Sequence, residues 1–173
     1  MRNPARGATR GLLTIADAAD APTIAALQNA VAAELTARHG IGHWSSVMTE
    51  KGVRASMKRA SVFIVRDDRD IAATLTLATR KPWAIDRKYF TAVVRPVYLL
   101  SMAVDPARQR TGIGRACVAE ALDLVRDWPA DAVCLDAYDA AAGAGDFYRK
   151  CGFIEVGRAD YRGTPLIYFE RLV

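Results

Sequence analysis

Between Val97 and Tyr138 the chain reads as an apolar strand, VYLLSMAV, then a helix from Gly112 to about Trp128, then a second apolar strand, AVCLDAY. Two strands joined through a helix in one sheet run parallel. The crossover is right-handed, because only that hand packs a twisted strand and a right-handed helix back onto the sheet. The turn that converts the first strand into the helix, ARQRTGIGR, carries three arginines and two glycines. At a helix N-terminus the first amide N–H groups lack intrahelical partners, and the dipole adds partial positive charge. Gly112 and Gly114 remove side chains that would hold an anion away from those amides. Arg110 and Arg115 add full charges. A cation in the first helical turn, where Arg115 falls, is the wrong sign for the dipole unless a bound polyanion offsets it. The segment therefore predicts a phosphate cradle.

Two familiar cradles do not fit. No Lys-Ser or Lys-Thr follows the glycines, so the mononucleotide P-loop is excluded. GIGRAC supplies the first two glycines of a dinucleotide fingerprint, with Cys117 at the place of the third. That fingerprint needs a tight turn, whereas the seven residues DPARQRT separate the strand from Gly112. A solvated basic loop ahead of a glycine-containing helix start is the plain alternative for the glycines taken alone.

The remaining chain fills in a mixed sheet. A short strand, LLTIAD, precedes DAPTIAALQNAVAAELTARHG, where Asp20 is placed to cap a helix, Pro22 suits its first turn and Gly40 ends it. Ile24, Leu27, Val31 and Leu35 recur at helical spacing, so that helix buries one face. Ser45 or Ser46 opens a more polar helix, SVMTEKGVRASMKRA. SVFIVRD and DIAATLTLATR are rich in β-branched residues and read as an antiparallel hairpin across the acidic turn Asp67–Asp70. KPWAIDRKYFTAVVRP is a polar, aromatic-studded connection with no clear period. After the crossover come a short helix ending DFYRKCGF and two strands, IEVGRADY and PLIYFERL. The order β-α-α-β-β-β-α-β-α-β-β gives an α/β (α+β) domain, a mixed, mostly antiparallel sheet of about seven strands flanked by about four helices. No repeat or linker divides it, so residues 12–173 read as one domain and residues 1–11, arginine-rich and free of acids, as a flexible arm.

Composition narrows the partners. No apolar run approaches the roughly 20 residues of a membrane-spanning helix, so the expected setting is soluble, with no membrane partner. A net charge of +5 suits an anionic ligand. Nucleic acid is not the expected partner, because it calls for a basic stripe with surface aromatics, and the arginines here concentrate only at the turn. Cys117, Cys134 and Cys151 are odd in number and none are spaced Cys-x-x-Cys, so neither a disulfide framework nor a zinc site is expected. Reduced thiols in a cytoplasm, and no metal, are the simpler expectation.

Gln109-Arg110-Thr111-Gly112-Ile113-Gly114, preceded by LLSMAVDP and followed about 35 residues on by Tyr148, Gly152 and Phe153 in FYRKCGF, resembles the GNAT N-acetyltransferase superfamily. The resemblance is carried from about Leu99 to Phe153, and the amino half agrees by order of elements. It implies that the anion is the pyrophosphate of acetyl-CoA, held by the amides from about Arg110 to Arg115, with Gln109 opening the turn. It also implies that the two parallel strands splay apart and that pantetheine lies along the main chain of Met102, Ala103 and Val104. An N–H near Ala103 is then the expected oxyanion donor, and Tyr148 the acid for the departing thiolate. For the base, Glu34, His43, Asp136 and Asp139 all stand open. Glu34, Trp44 and Asp136 are the expected acceptor contacts, with Trp83 and Tyr89 as further aromatics. The implied activity is transfer of acetyl from acetyl-CoA to a primary amine of a small molecule or protein, and a homodimer is the common assembly of similar enzymes. The same fold used as a non-catalytic acetyl-CoA sensor is the alternative.

Overall fold

The computed structural model describes residues 11–68 and 70–173. The expectation of a flexible arm lies outside the described residues except for Gly11. Seven strands form a single sheet in the order β1-β2-β3-β4-β5-β7-β6. They are β1 (Thr14–Ile15), β2 (Ser61–Asp67), β3 (Asp70–Ala78), β4 (Pro96–Val104), β5 (Ala132–Tyr138), β6 (Ile154–Tyr161) and β7 (Thr164–Leu172). Four helices, α1 (Ala21–His39), α2 (Glu50–Met57), α3 (Ile113–Asp127) and α4 (Gly145–Lys150), flank it. Only β4 and β5 pair in parallel, and every other neighbouring pair is antiparallel.

The expected elements stand, with local differences that have physical causes. The first strand shrinks to two residues because the amides of Leu12 and Leu13 are taken by the Glu120 carboxylate of α3, at 2.7 and 3.1 Å. Asp20 occupies the position before α1 but caps no amide of that helix. Its carboxylate instead accepts the Asp17 N–H at 3.0 Å and pairs with Arg66 at 2.5 Å. The second helix starts later than Ser45 or Ser46. Thr49 caps it by accepting the Gly52 N–H at 3.1 Å, whereas the Ser45 hydroxyl is spent on Gly42 and Thr36. Gly40, at φ +80°, ends α1 as expected.

Alternation along the strands divides the core into two faces. Phe63, Val65, Leu75, Leu77, Val133 and Leu135 pack under α3 and α4, and Val62 and Ile64 pack under α1 and α2. The connection from Lys81 to Arg95, unassignable from its sequence, is a strap over the second face of β4, β5 and β7. It buries Ile85 to 1% exposure. Tyr168 donates its hydroxyl hydrogen to Ala84 O at 2.7 Å. The buried Glu170 accepts from the Thr91 N–H at 2.8 Å and its hydroxyl at 2.6 Å. Tyr89 lies flat on the backbone of β6, so close that a Cβ at Gly157 would fall 2.3 Å from its ring. Tyr89 is therefore a strap anchor. Gly157→Ala is expected to lift the strap at a cost of about 1–3 kcal/mol, as overpacking does. Calorimetric unfolding checks this, since roughly 2–4 °C of Tm is lost per kcal/mol in a domain of this size.

Candidate active site

The parallel pair opens into a gap. β4 and β5 are in register through Pro96–Ala132, Val97–Val133 and Tyr98–Cys134, and there the pairing ends. β5 nevertheless stays paired with β7 as far as Tyr138, and β4 stays paired with β3 as far as Val104. The gap is thus held open from outside. Beside it β4 carries a bulge: Leu100 pairs with Thr76 and Ala103 with Thr74, so Ser101 and Met102 together oppose Leu75. Ser101 has φ +49°, a region costly for a non-glycine residue and found where surrounding structure enforces it.

The Asp105 N–H donates to Ala72 O at 2.9 Å, toward β3. Peptide groups alternate along a strand, so those of Ala103 also face β3, and those of Val104 face the gap. Of the amides near Ala103, the Val104 N–H is thus the one that faces the gap, since the Ala103 main chain pairs with Thr74. The Val104 carbonyl already accepts the Gln109 side-chain amide at 3.2 Å, which leaves its N–H open.

Beyond Val104 the turn is braced by its own side chains. Arg108 is held by Asp67 at 2.9 Å and Asp105 at 2.5 Å. The Thr111 hydroxyl donates to Arg108 O at 2.7 Å. Arg110 and Gly112 both take positive φ, +65° and +94°. A Cβ at Gly112 would meet nothing within 4 Å, so conformation rather than space selects glycine there. At Gly114 a Cβ would make ordinary contact with Phe147 and Val104, both 3.4 Å away, so the helix start packs closely on α4 and β4 there. The first intrahelical bond of α3 is Ala116 N–H to Gly112 O at 3.0 Å. The amides of Ile113, Gly114 and Arg115 precede it, no side chain caps them, and the first turn has no acid. That donor set fits a diphosphate. The Arg115 guanidinium departs from expectation. It donates to Lys150 O at 3.3 Å, at the negative end of α4, and borders a 350 Å³ cavity with Lys150 and Arg171. Arg115 thus presents its amide, and not its guanidinium, at the head of α3.

Across the gap stands Tyr148 of α4. Its ring packs against Phe147, Phe153 and Phe169 with centroids 5.2, 5.8 and 6.1 Å away, and the residue is 7% exposed. Burial pushes its phenol well above the usual tyrosine range, and the charge of Asp136 adds to that, as does Cys151. No hydrogen bond to the protein offsets the burial. The GAGD stretch leading into α4 is no second phosphate loop: the Gly143 N–H is bonded to Ala140 O at 2.8 Å, and a Cβ there would lie 1.9 Å from Tyr138 O.

Of the four carboxylate or imidazole candidates, three are committed elsewhere. Arg38, one helical turn on, holds one oxygen of Glu34, whose other oxygen is buried without a partner. Arg158 grips both oxygens of Asp139 at 2.9 and 2.7 Å. His43 Nδ1 shares a hydrogen with the Thr164 hydroxyl at 3.0 Å, and its ring stacks on Tyr138. Asp136 lies on β5 two residues past the last β4–β5 pair and has no side-chain partner. Burial raises its carboxyl above the normal range, opposed only by its own backbone. Trp44 meets Tyr138 edge-on at 6.1 Å and donates its indole N–H to Gly40 O, so it roofs the end of β5 near Asp136. Trp83 is 73% exposed and packs edge-on against Tyr161, at the β6–β7 turn. Burial pushes the Cys117 thiol up to about 11 and the Cys134 thiol up to about 12, so both stay protonated at neutral pH. Gln28 of α1 was not among the expected residues. It sits over the bulge, its side-chain amide donating to Ser101 O at 3.5 Å. The signal was present, since Gln28 follows Ile24 by four residues and precedes Val31 by three, placing a polar group on an apolar face.

Comparison with known proteins agrees with this geometry. The sequence pattern of the acetyltransferase (GNAT) family matches residues 24–153. A search of curated protein sequences finds no match. Among solved structures, the ribosomal-protein-S18-alanine N-acetyltransferase of Escherichia coli superposes with a TM-score of 0.69 at 18% identity, covering 92% of each chain. The ribosomal-protein-alanine N-acetyltransferase of Brucella melitensis gives 0.70 at 17%, covering 94% of this chain and 99% of that one. The Salmonella typhimurium protein yncA, solved with its cofactor acetyl-CoA, gives 0.66 at 16% over 92% of each chain. At these identities the likeness is one of fold, while the sequence match spans most of the chain. With the cradle, the open parallel pair and the family pattern all falling on the same residues, the chain belongs to the GNAT acetyltransferase family.

Proposed function

We propose that this protein is an acetyl-CoA-dependent N-acetyltransferase that passes acetyl directly to a primary amine, with Asp136 as base and Tyr148 as acid. The observation that carries the reading is that Asp136, alone of the four candidates, has neither an ion pair nor a side-chain hydrogen bond among the described residues, and it stands where β4 and β5 part. When bound, acetyl-CoA supplies an activated thioester. The uncapped amides of Ile113 to Arg115 hold its diphosphate. The Val104 N–H, facing the gap, donates to the carbonyl oxygen as negative charge grows there. Asp136 takes the proton that the amine gives up as its lone pair forms the C–N bond. The raised phenol of Tyr148 stays protonated at neutral pH and hands its hydrogen to the sulfur as the C–S bond breaks. The net transfer is one acetyl from sulfur to nitrogen and one proton from nitrogen to sulfur.

Gly114→Glu is expected to weaken CoA binding at least tenfold in calorimetry, because it fills the approach and sets a negative charge against the phosphate. Tyr148→Phe is expected to lower kcat roughly 10²-fold while leaving the affinity for CoA unchanged; unchanged turnover removes Tyr148 from the acid's role. A screen of amines for acetyl-CoA-dependent thiol release tests the activity itself. CoA binding with no release on any amine favours the sensor.

Asp136 gives a signed pH test. Its folded-state pKa lies above the unfolded value of about 3.9, so the folded protein binds that proton more tightly. The associated stability is present below about pH 3.9 and is lost as pH rises through the folded value. At pH 7 the buried charge therefore costs stability. Asp136→Asn is expected to raise Tm at pH 7, with the gain shrinking toward pH 4, and to abolish the acidic limb of the kcat/KM profile.

A further inference from the structure

Many arginines in this fold pair with carboxylates, as Arg54 does with Glu50, Arg95 with Asp131 and Arg158 with Asp139. One groove breaks that pattern. The 350 Å³ cavity beside α3 gathers four cations, Arg115, Arg126, Lys150 and Arg171, and its lining holds a single carboxylate, Asp123. Asp123 is spent on Arg126, one turn away in the same helix. Among the described residues Arg115, Lys150 and Arg171 form no ion pair. The two guanidiniums are held in place all the same. Arg115 donates to Lys150 O and Arg171 to Cys151 O, at the carbonyl end of α4. Those carbonyls supply partial charge and fix where the guanidiniums sit, but no formal anion faces them, and each guanidinium keeps further N–H donors. Like charges gathered in one concavity repel, so the arrangement is stabilised by an anion that enters it.

The groove runs away from the gap. Arg171 on β7 pairs with Val133, and Val133 with Val97, where β4 and β5 are still in register. Arg115 lies in the first turn of α3 and Arg126 in the last. Between them the helix rises about 16 Å. A single phosphate or carboxylate does not bridge that span, whereas an extended chain covers it with about five residues. Exposed Ala119 lines the middle of the α3 side, so little there holds a chain off. Among the described residues no aromatic side chain lines the groove. Single-stranded nucleic acid is held by stacking on aromatics as well as by charge, so it is the poorer match. We propose that this groove docks an extended, acidic segment of a partner polypeptide, about five residues long, at a place separate from the diphosphate cradle. Carboxylates of that segment supply the counter-ions that Arg115, Lys150 and Arg171 lack. The proposal goes beyond the acetyltransferase reading and needs no turnover.

The test is fluorescence anisotropy of a labelled pentaglutamate peptide with the full-length protein at low salt. Unlabelled pentaglutamine, inorganic phosphate, a short oligothymidylate and CoA serve as competitors. The variants are Lys150→Gln alone and Lys150→Gln with Arg171→Gln. The single variant leaves the Arg171 bond to Cys151 O in place, so it reads the groove even where the double variant loses its fold. Pentaglutamate is expected to bind, to weaken as salt is raised, and to stay bound under saturating CoA. The double variant is expected to lose roughly tenfold in affinity and the single variant roughly threefold, as exposed ion pairs at the upper end of their range contribute. Absence of binding, equal competition by pentaglutamine, or an affinity that survives both variants overturns the inference. Displacement by CoA overturns it too, by making the groove part of the cofactor site. Inorganic phosphate competing as well as the peptide marks a small-anion site instead, and a tighter oligothymidylate marks a nucleic-acid groove; either result sinks the polypeptide assignment.

Discussion

Everything at the site depends on the loss of pairing between β4 and β5 beyond Tyr98 and Cys134. Two parallel strands left to themselves continue their ladder, since unpaired main-chain groups carry a cost. Here each strand is pulled by its outer neighbour: β3 grips β4 to Val104, and β7 grips β5 to Tyr138. The bulge at Ser101 and Met102 adds the local twist that turns β4 away. The result is a sheet with an internal edge, a row of donors and acceptors inside the fold that a ligand of strand-like shape can satisfy.

The charge arrangement follows from the same opening. Most arginines near the turn are already engaged: Arg108 by Asp67 and Asp105, and Arg115 against the carbonyl end of α4. What remains at the head of α3 is the exposed Arg110 and a set of dipoles, the uncapped amides. An anion bound by fixed amides is held in one orientation. One bound by mobile cations is only attracted, so the cradle serves positioning more than attraction. The gap thus places one negative group, Asp136, at some remove from the positive helix head. That separation keeps the Asp136 carboxyl free of the counter-ions that pair with Glu34 and Asp139.

Much of this was legible in the amino-acid sequence, for identifiable reasons. The β4–α3–β5 crossover was readable because apolar runs, a glycine turn and helical spacing all agree over Val97–Tyr138. The glycine turn into α3 was readable because Gly112 holds a positive φ that glycine adopts freely. Three things were not legible. The strap from Lys81 to Arg95 has no period, because its contacts are single anchors (Ile85, Tyr89, Thr91) fixed by distant strands. The face that each β4 amide presents depends on register, so which of Ala103 and Val104 turns toward the gap is decided by one bond, Asp105 to Ala72. The choice of base among four candidates turned on ion pairs such as Asp139 with Arg158, nineteen residues apart, which no spacing rule anticipates.

Those ion pairs also explain why the site stands out physically rather than by motif. Several polar side chains that enter the protein elsewhere are satisfied: Glu170 by Thr91, Asp20 by Arg66 and the Asp17 amide, Thr74 by Phe63 O. On α1, Gln28 Oε1 and Glu34 Oε2 are buried without a partner. On the two elements that flank the gap, β5 and α4, the Asp136 carboxyl and the Tyr148 hydroxyl are raised by burial, and no ion pair or side-chain hydrogen bond among the described residues offsets it. Burial without a partner costs the folded state free energy at both groups, and the packing around them does not need the polar atoms.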